Sequence, residues 1–103
     1  MKILLSCSGG MSSSLIANGL EKEGKKRGID LKVQATGTEN VADDLNNADY
    51  DVVLLAPQAV YRRKVVEEEA GNHDVKFVMI PRTMYNPLAV GKLLDLVNEE
   101  LAK

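Results

Sequence analysis

Two short apolar runs leave this chain little freedom in how it folds. They are Asp51-Val52-Val53-Leu54-Leu55-Ala56, stopped by Pro57, and Val75 to Ile80, stopped by Pro81. A continuous apolar run of this length reads as a strand buried on both faces. Proline has no N–H to give to a ladder, so it marks where each run stops pairing. Lys2-Ile3-Leu4-Leu5-Ser6 is a third apolar run. Asp30 to Thr36 differs, with Leu31, Val33 and Ala35 alternating against Lys32, Gln34 and Thr36. That alternation predicts a strand with one wet face, at an edge of the sheet.

The intervening segments have helical periodicity. Ser12 to Arg27 carries Leu15, Ile16 and Leu20 on one stripe, with charged residues opposite and Gly28 as a stop. Gly19 inside it predicts close packing on the sheet. A short helix is expected from Thr38 or Glu39 through Leu45, and a third from Ala59 to Ala70 with Val60, Val65 and Val66 inward. The last, Pro87 to Ala102, is expected to bury Leu88, Val90, Leu93, Leu94, Val97 and Leu101. Strict β-α alternation with short connections predicts an α/β fold, a parallel sheet covered by helices on both faces and joined by right-handed crossovers. With the two buried strands central or beside the first, and the alternating strand at an edge, the strand order is 2-1-3-4. The chain of 103 residues is expected to form a single domain over residues 1–103.

Strand order fixes where chemistry belongs. The switch point lies between strands one and three, at their carboxyl ends. There the chain runs Cys7-Ser8-Gly9-Gly10-Met11-Ser12-Ser13-Ser14, a loop of small residues opened by the one cysteine and leading into a helix. Loop N–H groups and a helix N-terminus make an anion trap. A thiolate at its mouth gains those donors and that field, and the same donors could hold a phosphoryl group on the sulfur. Cys7 is therefore expected to be a phosphate-carrying nucleophile, with Ser8, Gly9, Gly10, Met11, Ser12, Ser13 and Ser14 forming its cradle.

Other classes fit poorly. A formal charge of −2 argues against bulk nucleic-acid binding. One cysteine excludes an internal disulfide and a cysteine zinc cluster, and neither a metal nor a cofactor is expected. No apolar run approaches the ~20 residues of a membrane span, and no signal-peptide pattern is present, so a cytoplasmic protein is expected. Tyrosine phosphatases place arginine where this Cys-x5-Ser spacing has Ser13. Serine brings no charge to stabilise transfer to water. The loop from Pro81 to Pro87 also lacks a carboxylic acid for a leaving group. A small cysteine phosphatase or arsenate reductase is accordingly the weaker alternative.

The loop from Cys7 to Leu15 and the stretch from Asp51 to Tyr61 together resemble the IIB component of the lactose/cellobiose branch of the bacterial phosphoenolpyruvate-dependent sugar phosphotransferase system. Length and element order match over essentially the whole chain. The resemblance implies a fold akin to low-molecular-weight tyrosine phosphatases. It also implies that Cys7 takes a phosphoryl group from a histidine of a IIA component. Cys7 would then pass it to a sugar, a β-linked disaccharide such as cellobiose, lactose or chitobiose, bound in the membrane component IIC. A regulatory domain of the same fold is the third reading. Pro57, Gln58, Tyr61 and Tyr85 are expected on the rim that meets these partners, where Asn86 also lies and Arg62 and Arg63 stand close by. Glu67-Glu68-Glu69 reads as a solvated helix end, and His73 as a surface residue at the far end of the sheet.

Overall fold

The computed structural model describes residues 1–8 and 12–103. Expectations resting on Gly9, Gly10, Met11 and the side chain of Ser12 lie outside the described residues. Four strands, β1 (Lys2–Cys7), β2 (Lys32–Gly37), β3 (Val52–Leu55) and β4 (Lys76–Met79), form one parallel sheet in the order β2-β1-β3-β4. This is the order the apolar runs predict. The helices are α1 (Ser12–Lys26), α2 (Val41–Asn47), α3 (Arg63–Asn72) and α4 (Val90–Leu101).

Strand alternation divides the buried side chains between two faces. Ile3 and Leu5 of β1 and Val52 and Leu54 of β3 pack with Ile16 and Leu20 of α1 and Leu93, Leu94 and Val97 of α4. Leu4, Val53 and Leu55 point the other way, onto Val41 and Leu45 of α2 and Val66 and Ala70 of α3. The result is three layers, with a core on each side of the sheet. Edge strand β2 is only half covered, and Val33 and Ala35 lean on the α1/α4 core.

Local signals place the ends of the elements. α1 ends at Lys26, just ahead of Gly28, whose φ of 76° is open to glycine without strain. The Ile29 N–H donates to Gly24 O at 2.8 Å and the Gly28 N–H to Lys25 O at 3.1 Å, which satisfies two carbonyls of the last turn. Arg27 then ties α1 to α4. Its guanidinium donates to Asp95 at 2.7 Å, to Glu23 at 2.8 Å and to the Gly91 carbonyl at 3.0 Å. Asp95 and then Glu23 raise the Arg27 pKa by accepting these bonds.

Several inward assignments are corrected. Leu15, Val60, Val65 and Leu88 are exposed, and Leu88 is 99% so. Proline explains part of this: Pro57 and Pro87 each open a 3-10 segment, Pro57–Arg62 and Pro87–Ala89, before α3 and α4 begin. A 3-10 turn has three residues per turn, so a stripe projected at the α-helical period drifts off the core. Gly19 faces α4 and not the sheet, since a Cβ there would lie 3.0 Å from Val90 Cγ1.

Candidate functional site

Cys7 is the last residue of β1, with β2 on one side and β3 on the other. Its register partner in β2 is Gly37. On the other side the Ala56 N–H donates to Ser6 O at 2.9 Å, so the residue before Pro57 is fastened beside the residue before Cys7. The Ser6 hydroxyl donates to Leu54 O at 2.8 Å in a fully buried bond. This pins the end of β1 a second time. A fixed strand end is a suitable mount for a nucleophile, because its position does not depend on loop motion.

Cys7 is 5% exposed, more enclosed than a position at the mouth of the loop implies. Ser8 is exposed, as is Ser14, whereas Ser13 in the first turn of α1 is buried and engaged. Ser13 thus stands apart from the exposed serines of the expected cradle.

The expected rim residues divide. Pro57, Gln58 and Tyr85 line one cavity of ≈ 350 Å³ together with Arg82. Tyr61 lies beyond it, 71% exposed. Asn86 organises the loop after β4 by donating to Thr83 O at 3.2 Å and accepting from the Leu88 N–H at 3.0 Å. Arg63 pairs with Glu67 at 3.5 Å across one helical turn and lies over the Phe77 ring. His73 sits at the opposite end of the sheet, where its ring nitrogens meet Glu69 O at 3.0 Å and Asn46 Oδ1 at 2.8 Å.

Two charged groups escape the sequence reading. Arg82 follows Pro81, directly after β4 on the Cys7 side of the sheet, and its adjacency to the end of β3 was the available signal. Glu39 folds back over Gly37, since a Cβ on Gly37 would lie 2.6 Å from its Oε1. Its carboxylate therefore rests on the residue paired with Cys7.

The apolar surface is equally one-sided. Among the described residues the exposed large hydrophobic side chains are Leu15, Val60, Tyr61, Val65 and Leu88. They occupy the first turns of α1 and α3 and the 3-10 segments after β3 and before α4. In a parallel sheet all of these lie at the carboxyl edge, the edge at which β1 ends in Cys7. No helix of the described residues is long and apolar enough to cross a membrane, and no group of metal-ligating side chains occurs among them.

Residues 2–92 match the family described as PTS system, Lactose/Cellobiose specific IIB subunit. The chain belongs to this family. A IIB chain of this kind is a sugar-specific component of the phosphotransferase system. The oligo-beta-mannoside-specific EIIB component of Bacillus subtilis (strain 168) is 31% identical over 91 residues, covering 88% of this IIB chain and 85% of that protein. A lactose-specific EIICB component of Staphylococcus haemolyticus is 28% identical over 98% of this chain but only 17% of its own length. In such relatives a IIB unit and a IIC unit share one polypeptide. Among solved structures, the lactose-specific IIB domain of Streptococcus pneumoniae superposes with a TM-score of 0.84 over 97% of this chain and 96% of that one. At 20% identity that likeness establishes the fold.

Proposed function

We propose that this IIB chain is a cytoplasmic phosphocarrier that holds the phosphoryl group on Cys7. The observation that carries the reading is the seat of Cys7 at the end of the inner strand β1, immediately before the loop into α1. A reacting group there meets the switch point of the sheet, where partners approach from the carboxyl edge.

Two steps make up the cycle. In the first, the P–N bond of a phosphohistidine on IIA breaks as a P–S bond forms to the Cys7 thiolate, and the imidazole leaves. In the second, the P–S bond breaks and a P–O bond forms to a hydroxyl of the sugar bound in IIC. The hydroxyl proton goes to solvent and the thiolate is returned. Positioning and charge stabilisation dominate phosphoryl transfer, and both fall to the chain and its partners. Both partners must bring a reacting atom to one sulfur. Leu15, Val60, Tyr61, Val65 and Leu88 supply an apolar surface around that approach. The transported sugar is a β-linked disaccharide, by analogy with the lactose- and cellobiose-specific relatives.

The test is incubation with phosphoenolpyruvate, the general phosphotransferase proteins and the cognate IIA, followed by intact-mass and peptide analysis. A phosphoryl group on the peptide carrying Cys7 is expected. Turnover of a small aryl phosphate by the isolated protein would favour a phosphatase, and unimpaired growth on every candidate sugar after deletion would favour a regulator.

A further inference from the structure

The cavity at the carboxyl ends of β3 and β4 is lined by a cation that the loop chemistry does not use. Its lining residues, Pro57, Gln58, Arg82 and Tyr85, come from the segments that follow β3 and β4. The ladders fix how far the backbones of β3 and β4 stand from that of Cys7. Ala56 is bonded to Ser6 O, and the Ile80 N–H donates to Leu55 O at 3.0 Å, so Ala56 and then Ile80 stand level with Cys7, both on its β3 side. Neighbouring strands lie about 4.8 Å apart, which puts the end of β4 about 10 Å from Cys7. A long arginine side chain on one bank and a phosphorylated cysteine on the other can meet across that gap.

Charge on the two banks is opposed. Arg27 and Arg63 are held by carboxylates, whereas no carboxylate pairs with Arg82 among the described residues. On the β2 bank the Glu39 carboxylate lies over Gly37, the register partner of Cys7. A dianionic phosphoryl group at Cys7 is repelled from the β2 side and drawn toward β3 and β4.

We propose that Arg82 grips the phosphoryl group as it moves onto and off Cys7, supplying from outside the loop the guanidinium that Ser13 does not provide within it. The inference rests on Cys7 being the carrier. A guanidinium offers two parallel N–H donors to phosphoryl oxygens and offsets the charge spread over them during transfer. No carboxylic acid stands in the loop from Pro81 to Pro87 to protonate a leaving group. The cation therefore steers transfer without adding the acid that a phosphatase uses.

The test compares wild-type, Arg82→Gln and Arg82→Lys proteins as acceptors from phosphorylated cognate IIA, with the Cys7 phosphoryl followed by mass spectrometry at several IIA concentrations. Arg82→Gln is expected to cut the maximal rate about tenfold or more at an unchanged half-saturating IIA concentration and an unchanged melting temperature. Arg82→Lys is expected to recover part of the rate, and it serves as the test if Arg82→Gln melts early. A wild-type rate in Arg82→Gln overturns the inference while leaving Cys7 as carrier. A raised half-saturating concentration at a wild-type maximal rate also overturns it, making Arg82 a partner contact. A wild-type protein that accepts no phosphoryl group overturns the carrier reading and this inference together.

Discussion

The Ala56 N–H donates to the Ser6 carbonyl at 2.9 Å, one residue before Cys7 on one strand and one residue before Pro57 on the other. This bond ties the backbone next to the candidate nucleophile to the residue before Pro57, and Pro57 with Gln58, Arg82 and Tyr85 lines a cavity. Site geometry and sheet register are thereby one property of the molecule. Changes to the ladder around residue 6 must register in stability as well as in chemistry.

Ser6→Ala tests that coupling. Its hydroxyl donates to Leu54 O at 2.8 Å with no exposed surface. Loss of one such bond costs about 1 kcal/mol, which lowers the melting temperature of a chain this size by about 4–8 °C. A thermal melt checks it, and an unchanged melting temperature would show the bond to be dispensable.

Gly24 and Gly19 are expected to part company when each becomes alanine. A Cβ at Gly24 would lie 2.8 Å from Leu31 Cβ, an atom that moves only with its backbone, so Gly24→Ala is expected to cost about 1–3 kcal/mol. At Gly19 the obstacle is Val90 Cγ1 at 3.0 Å. In a Val90→Ala background Gly19→Ala is expected to gain about 1 kcal/mol from helix propensity. Denaturant midpoints of the four proteins decide both statements.

Leu88→Glu addresses the apolar edge. Leu88 is 99% exposed, so folding loses nothing by the change and the melting temperature stays put. If partners dock on this edge, the half-saturating concentration of IIA or of the IIC acceptor rises. Transfer at wild-type concentrations in both half-reactions would remove Leu88 from the interface.

Arg27→Gln removes a cation that bridges Glu23, Asp95 and the Gly91 carbonyl between α1 and α4. A lower melting temperature is expected, and the gap to wild type should narrow as salt screens the wild-type pairs. A salt-independent gap would assign the effect to the Gly91 hydrogen bond instead.

The architecture was legible because it rests on local, strongly patterned signals. The unbroken runs of β1 and β3 demand cover on both faces, the alternation from Leu31 to Thr36 demands an edge, and those demands admit the order β2-β1-β3-β4. Gly28 was legible for the same reason, as a local backbone requirement. Leu15, Val60, Val65 and Leu88 were misread because apolar periodicity cannot tell a side chain facing the core from one facing a partner. Arg82 and Glu39 were missed for a different reason. Each is an unremarkable polar loop residue until the sheet brings the ends of β4 and β2 alongside Cys7.

The account stands on Cys7, and Cys7→Ser with the phosphoenolpyruvate-driven relay tests it most directly. Wild-type protein is expected to gain a phosphoryl group on the peptide containing residue 7, and Cys7→Ser none, with the variant melting as a folded protein. A phosphoryl group that persists in Cys7→Ser, or that maps to His73 in the wild type, would contradict it.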